Sequence, residues 1–259
     1  DISSKQLTEV APSTVDLLLP SGAENLNYVL YTDESPYKMQ REWLDRLPFD
    51  IYSVNVHTGA KRLIGRSYRT APKWSVNGKW AVMYDPIAQV WNKFDGATGK
   101  VVNISDAIGY PMFVESYDKP APAPAYGIAG WTADGNNVFL YDAYDWWKID
   151  LTGERQPECL TKGYGRKHGK SIRKMTSNID KDVFQKDEKV IVSLWDKDTM
   201  DEGVYQLDMK GRLRKLMEGN YVYTIHRFSD NHEYCVWNRQ NVSEFRDLWW
   251  SKSDFSDPI

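Results

Sequence analysis

Two strings in this sequence set a serine behind a glycine as a nucleophile elbow does: Gly65-Arg66-Ser67-Tyr68-Arg69 and Gly169-Lys170-Ser171-Ile172-Arg173. An activated serine needs a sharp strand–turn–helix bend, usually Gly-x-Ser-x-Gly, to present its hydroxyl. Both strings lack the second glycine and neither leads into a helical pattern, so neither is read as a nucleophile. Cys159 and Cys235 lie in strand-like runs and fit no metal-ligand spacing. They read as two buried thiols or as one disulfide. His57, His168, His226 and His232 form no His-Glu-x-x-His pair and read as surface or turn imidazoles. Asp142, Asp145 and Asp150 sit close together, as an acid–base pair requires. Their places at strand ends suit the capping of turns by carboxylate oxygens. The stretch from Lys162 to Lys170 is basic and glycine-rich, but no Gly-x4-Gly-Lys frame precedes Lys170-Ser171. It reads as an exposed turn rather than a phosphate cradle. The sequence assigns no catalytic, cofactor-binding or metal-binding residue.

The whole-chain quantities narrow the classes further. Lys plus Arg is 33 and Asp plus Glu is 36, for a net charge of −3. With no basic block, nucleic acid is not an expected partner. No apolar run approaches the ~20 residues that span a bilayer, and no positively charged segment leads a longer apolar run, so neither a membrane span nor a signal peptide is read. Among 259 residues there are 11 Trp and 16 Tyr, yet the mean hydropathy is −0.60. Large rings with weak bulk hydropathy suit half-buried strands.

Those rings recur in a repeat. Five short apolar runs end in an aromatic and a polar turn residue: Tyr28–Asp33, Trp80–Asp85, Val138–Asp142, Val190–Asp196 and Tyr234–Asn238. Turns precede three of them, at Asn77-Gly78, Asp134-Gly135 and Asp230-Asn231. The two glycine pairs supply the positive φ that tight hairpins need. A second strand follows each run, with its aromatic at Tyr52, Trp91, Trp147, Tyr205 and Trp249. In four cases a glycine turn comes next, at Gly59, Gly99, Gly153 and Gly211, and then a closing strand. The intervals between second-strand aromatics are 39, 56, 58 and 44 residues, so one unit recurs with variable loops. A unit of about four short antiparallel strands at this length is a propeller blade.

The expectation is therefore an all-β chain: one β-propeller region over 1–259, of four-stranded antiparallel blades. About five blades are present, in units 21–65, 72–105, 128–161, 171–218 and 221–259. The fifth unit lacks a closing strand, which predicts an incomplete part of a larger propeller. Open blade edges would invite self-association. The alternative is a small closed propeller that takes its missing strand from residues 1–20. Two insertions interrupt the rhythm. In 34–48, Met39, Trp43, Leu44 and Leu47 recur at helical spacing and predict a short amphipathic helix or lid, packed on its own blade or offered to a partner. In 108–127, Pro120-Ala121-Pro122-Ala123-Pro124 predicts an extended loop on one rim.

The third unit carries a family resemblance. Gly127–Gly135, Leu140–Asp150 and Leu160–Arg166 resemble the N-terminal propeller of bacterial prolyl oligopeptidase family peptidases, relatives of dipeptidyl peptidase IV and acylaminoacyl peptidase. The Asn-Gly and Asp-Gly hairpins also resemble TolB-type propellers. The first resemblance implies a non-catalytic role. The propeller would restrict access of peptide substrates to an α/β-hydrolase domain of the parent chain, in an extracytoplasmic setting. Family members with dipeptidyl peptidase activity hold the substrate amine with adjacent glutamates, and this sequence has no Glu-Glu pair. The other reading is a TolB-like or scaffold propeller that binds a protein or peptide on its rim.

Overall fold

The computed structural model describes residues 7–13, 15, 17–21, 27–44, 46–175 and 182–259. The chain divides into two compact units. One holds residues 1–125, 134–136 and 150–156; the other holds 126–133, 137–149 and 157–259.

Among the described residues the first unit contains two four-stranded meander sheets. One is β1 (Leu17–Leu19), β2 (Tyr28–Asp33), β3 (Phe49–Asn55) and β4 (Lys61–Tyr68), in that order. The other is β5 (Lys73–Trp74), β6 (Trp80–Asp85), β7 (Val90–Asp95) and β8 (Val101–Asn103). Apolar residues on facing sides of the two sheets fuse into one core of Leu30, Phe49, Ile51, Tyr68, Ala81, Met83 and Phe94. Tyr28 and Trp74 meet Phe94 edge-on at 6.0 and 6.2 Å, and the Trp74 indole N–H donates to Leu19 O at 2.9 Å. Leu17–Leu19 is thus the first strand of the first sheet. Leu17–Leu19 is therefore not the missing strand of the fifth blade, since its backbone partners are Leu30, Tyr31 and Thr32, while residues 1–6 lie outside the described residues.

Among the described residues the second unit contains three sheets. The third sheet of the chain has β9 (Ile128–Thr132), β10 (Asn137–Tyr141), β11 (Trp146–Asp150) and β12 (Glu158–Cys159). The fourth begins with β13 (Lys170–Lys174). After it, β14 (Val183–Phe184) leaves to pair in parallel with β9 and gives the third sheet a fifth strand. The fourth sheet continues with β15 (Lys189–Asp196), β16 (Glu202–Asp208) and β17 (Leu213–Gly219). The fifth has three strands, β18 (Val222–Phe228), β19 (Tyr234–Gln240) and β20 (Asp247–Lys252). Past β20 the chain turns, and Ile259 and Trp250 exchange both backbone hydrogen bonds, at 2.9 and 3.1 Å.

Alternation builds these sheets. On β15, Val190, Val192 and Leu194 are buried while their neighbours are not, the period-two pattern of a strand. They join Phe139, Trp146, Ile172, Phe184 and Tyr205 between the third and fourth sheets. On its other face the fourth sheet meets the fifth through Val204, Tyr223, Ile225 and Trp237. The architecture is all-β: sheets of three to five strands, antiparallel except for β14, of the kind that forms propeller blades. No helix among the described residues is long and apolar enough to cross a membrane.

The two insertions depart from expectation in one case. Residues Ser35–Gln40 form a 3₁₀ helix with no buried residue, not an amphipathic α-helix. Pro36 sits in its first turn, and the segment is too short to offer one face. Of the apolar residues of the 34–48 insertion, Leu47 is buried, but Met39 and Trp43 are exposed. The 108–127 segment is a loop that folds on itself, with Phe113 bridged to Ala125 and the Tyr84 hydroxyl donating to Ala123 O at 3.1 Å.

Candidate functional site: a carboxylate node in the third sheet

The residues that carry the family resemblance converge on two buried carboxylates. Asp142 ends the hairpin arm of β10 and Asp145 precedes β11, and both are excluded from solvent. Asp142 accepts from Tyr144 N at 2.7 Å, Asp145 N at 2.6 Å, the Trp147 indole N–H at 3.1 Å and Arg166 Nη2 at 2.9 Å. Asp145 accepts from the Thr161 hydroxyl at 2.6 Å, Gly165 N at 2.9 Å and Arg166 N at 3.0 Å.

This geometry corrects the reading of Lys162–Lys170 as an exposed turn. Gly163, at φ +71°, leads into a one-turn helix α1 (Tyr164–Lys167) whose Gly165 is buried. The first amides of that turn point at Asp145, as unbonded helix-start N–H groups do when a carboxylate is within reach. A Cβ on Gly165 would lie 2.6 Å from both Lys170 O and Tyr144 O, so only glycine fits. Lys167 and His168 face solvent.

Arg173, from β13, completes the node. Its guanidinium donates to Ile172 O at 2.8 Å, Asp142 O at 2.7 Å and Ala143 O at 3.3 Å. It lies 4.7 Å from the Tyr141 ring centre and 5.3 Å from that of Tyr126. Burial pulls its pKa below the usual arginine value, against the opposing fields of Tyr141 and Asp142. The Trp146 indole N–H donates to Ile172 O at 3.2 Å, so the third and fourth sheets are tied by two side chains as well as by their core.

Every carboxylate oxygen of the node has at least one internal donor in place, and both residues are closed to solvent, whereas a general base must lie within reach of the substrate proton. The arrangement holds a hairpin, a helical turn and a neighbouring strand in register. Sequence reasoning found Asp142 and Asp145 and their capping role. It missed Arg173, Thr161 and Gly165, whose only signal is position in space.

The other residues singled out by the sequence lie apart from this node. Ser67 sits at φ +57° where β4 shifts register against β3, and its N–H donates to buried Asp50 at 3.1 Å. The same Asp50 oxygen accepts from the Tyr37 hydroxyl at 2.5 Å. Burial first, then the Asp50 bond, pushes the Tyr37 phenol up, and its proton is committed to Asp50 rather than free to exchange with that serine. Ser171 is buried in β13. The four histidines are exposed; the His168 ring packs 4.4 Å from that of Tyr164, and His226 Nε2 lies 2.6 Å from Asn238 Nδ2. Both cysteines are free thiols: Cys159 accepts from Gly163 N at 3.2 Å, and Cys235 is buried in the fifth sheet. Among the described residues no group of three or more His, Cys, Asp or Glu could hold a metal ion.

No family model and no curated protein matches the chain. Solved structures similar to it include TolB from Acinetobacter baumannii, at 16% identity and TM-score 0.42, over 96% of this chain and 55% of that one. The β-propeller domain of the Trilobed protease from Pyrococcus furiosus aligns at 10% identity and TM-score 0.32, over 95% of this chain and 83% of that one. A chain from a study of two prolyl endopeptidases aligns at 10% identity and TM-score 0.48, over 92% of this chain and 34% of that one. This chain therefore spans about half the length of the Acinetobacter TolB chain. The sheet orders and registers define the architecture independently of these likenesses.

Proposed function

We propose that this chain is the non-catalytic propeller portion of a prolyl oligopeptidase-like serine peptidase, restricting which peptides reach an α/β-hydrolase domain of the parent protein. One observation carries the reading. The residues that resemble the family, from Tyr141 through Arg166, spend their polar groups on one another and act as scaffold. An extracytoplasmic location goes with this proposal. The test incubates the chain with peptide and ester substrates and with a fluorophosphonate probe. The expected result is neither turnover nor labelling, and stoichiometric labelling of a serine would overturn the reading. Sequencing the surrounding reading frame supplies the second half: a Gly-x-Ser-x-Gly string within it supports a peptidase parent. A scaffold propeller that binds a protein or peptide on its rim is the second reading, favoured by the exposure of Met39 and Trp43 beside the first sheet.

A further inference from the structure

In a meander sheet the connections alternate between two ends. The link between second and third strands lies at one end; the other two lie opposite. Exposed large hydrophobic residues in the connections follow this division. In the first unit, Met39 and Trp43 lie between β2 and β3, and Ile87 lies between β6 and β7. In the second unit, Met200 lies between β15 and β16, and Val242 and Phe245 lie between β19 and β20. All six are more than half exposed, with Trp43 at 79% and Phe245 at 90%. Among the described residues, the hairpin turns at the opposite end expose no large hydrophobic beyond Val76, at 48%. Scattered apolar exposure needs no explanation; segregation to one end of four sheets does.

The charges around these tips select the partner. Asp33, Asp85 and Asp196 are committed to turn amides. Glu34 pairs with Arg41 at 3.6 Å, and Glu244 pairs with Arg239 at 3.0 Å. Among the described residues this leaves Lys38, Glu42 and Arg46 without an ion-pair partner in the first unit, and Lys197, Asp198, Asp201 and Arg246 in the second. Both signs are present in each set. A surface of one sign, such as a polyanion or an anionic bilayer, meets repulsion as well as attraction there. A second copy about a twofold axis brings the same mixture and can set each acid against a base. Size agrees: Trp43 and Phe245 each offer roughly 150–250 Å². With their apolar neighbours, the tips of one unit supply a large part of the ~800 Å² per partner of a stable interface.

We propose that the apolar sheet ends, taken within each unit, are self-association surfaces through which two copies of this chain pair. The proposal does not depend on the peptidase reading. Sedimentation velocity over roughly 1–100 µM, where contacts of this size dissociate, tests it. The expected result is a monomer–dimer equilibrium. The tip variants Trp43→Ser with Ile87→Ser, or Val242→Ser with Phe245→Ser, are expected to weaken it by about tenfold or more. These side chains are exposed, so the variants keep the wild-type circular dichroism. Leu248→Ser with Trp250→Ser, on the open face of β20, is the control and leaves the equilibrium unchanged. A monomer at every concentration overturns the proposal. So does a dimer insensitive to both tip pairs, or one lost only in the β20 control. Binding of a monomer to neutral phosphatidylcholine vesicles, abolished by the tip variants, would assign the tips to a bilayer and also overturn it.

Discussion

Replacing Asp145 by alanine removes one carboxylate and leaves three donors behind: the Thr161 hydroxyl, Gly165 N–H and Arg166 N–H. The first two lie in buried residues. The Arg166 side chain is 30% exposed, so water can reach that end. Two stranded donors at ~1–3 kcal/mol each give a loss of about 2–6 kcal/mol, a large share of the ~5–15 kcal/mol that holds a domain together. Asparagine is the informative second variant. Its carbonyl can still serve Thr161 and Gly165, but its NH₂ group then faces the Arg166 N–H, donor against donor. The expected loss is smaller, about 1–3 kcal/mol. Glu154→Gln, on an exposed turn of the same sheet, is expected to stay within about 0.5 kcal/mol of wild type. Urea unfolding followed by tryptophan fluorescence measures the loss, since Trp146 is fully buried beside the node. With two compact units in one chain, a single midpoint can hide a local effect, so hydrogen exchange at Gly165 and Arg166 gives the local reading. If Asp145→Ala loses less than about 1 kcal/mol and both amides stay protected, the node does not hold the hairpin and the helical turn in register.

Other outcomes follow from the same packing. Phe184→Ala opens the core under β14 and should cost about 3–5 kcal/mol of local stability; exchange at the Trp131 and Ala133 amides, which bond Asp182 O and Phe184 O, should quicken first. Burial pushes the Glu202 carboxyl up against the pull of its Tyr223 N–H bond. Its folded pKa therefore lies above the unfolded value of about 4.3, and its contribution to stability is lost as pH rises through the folded value. Glu202→Gln should accordingly raise the Tm at pH 7, with the gain vanishing below about pH 4; an equal gain at both pH values would refute this. Burial also pushes both thiols up, so Cys159 and Cys235 should alkylate slowly in the native protein, Cys235 the slower. In urea without reductant both should react, and an unmodified mass there would mean a disulfide.

The turns were the most legible part of the sequence, because their chemistry is local. In Asn55–Gly59 and Asp95–Gly99 the first side chain accepts the next two available amides, and the glycine takes a positive φ. Side-chain type and φ preference thus suffice to place the hairpins, and period-two burial places the strands between them. What stayed hidden is long-range. β14 is a two-residue parallel pairing whose value lies in Phe184 filling space beside Phe139 and Trp146. Nothing in its own few residues announces that. Gly165 reads as one more loop glycine until Tyr144 O and Lys170 O are seen to leave no room for a Cβ. Arg173 reads as an ordinary strand cation until three carbonyls and two tyrosine rings surround it.

The connections between second and third strands show two uses of one position in a repeat. In the third sheet that link spends two carboxylates on internal bonds and closes over them. In the first, second, fourth and fifth sheets it leaves apolar side chains in water. A hairpin whose buried carboxylates are satisfied internally is stiff and offers a partner little; a hairpin whose apolar tip residues stay exposed can change them at little cost to the core. The two roles should therefore separate under mutation. Asp145→Asn should lower stability and leave the association constant unchanged. Phe245→Ser should shift the association constant and leave the urea midpoint of the monomer unchanged. Loss of both properties in either variant would mean that node and tips belong to one cooperative element, and the division of labour among the five sheets would have to be redrawn.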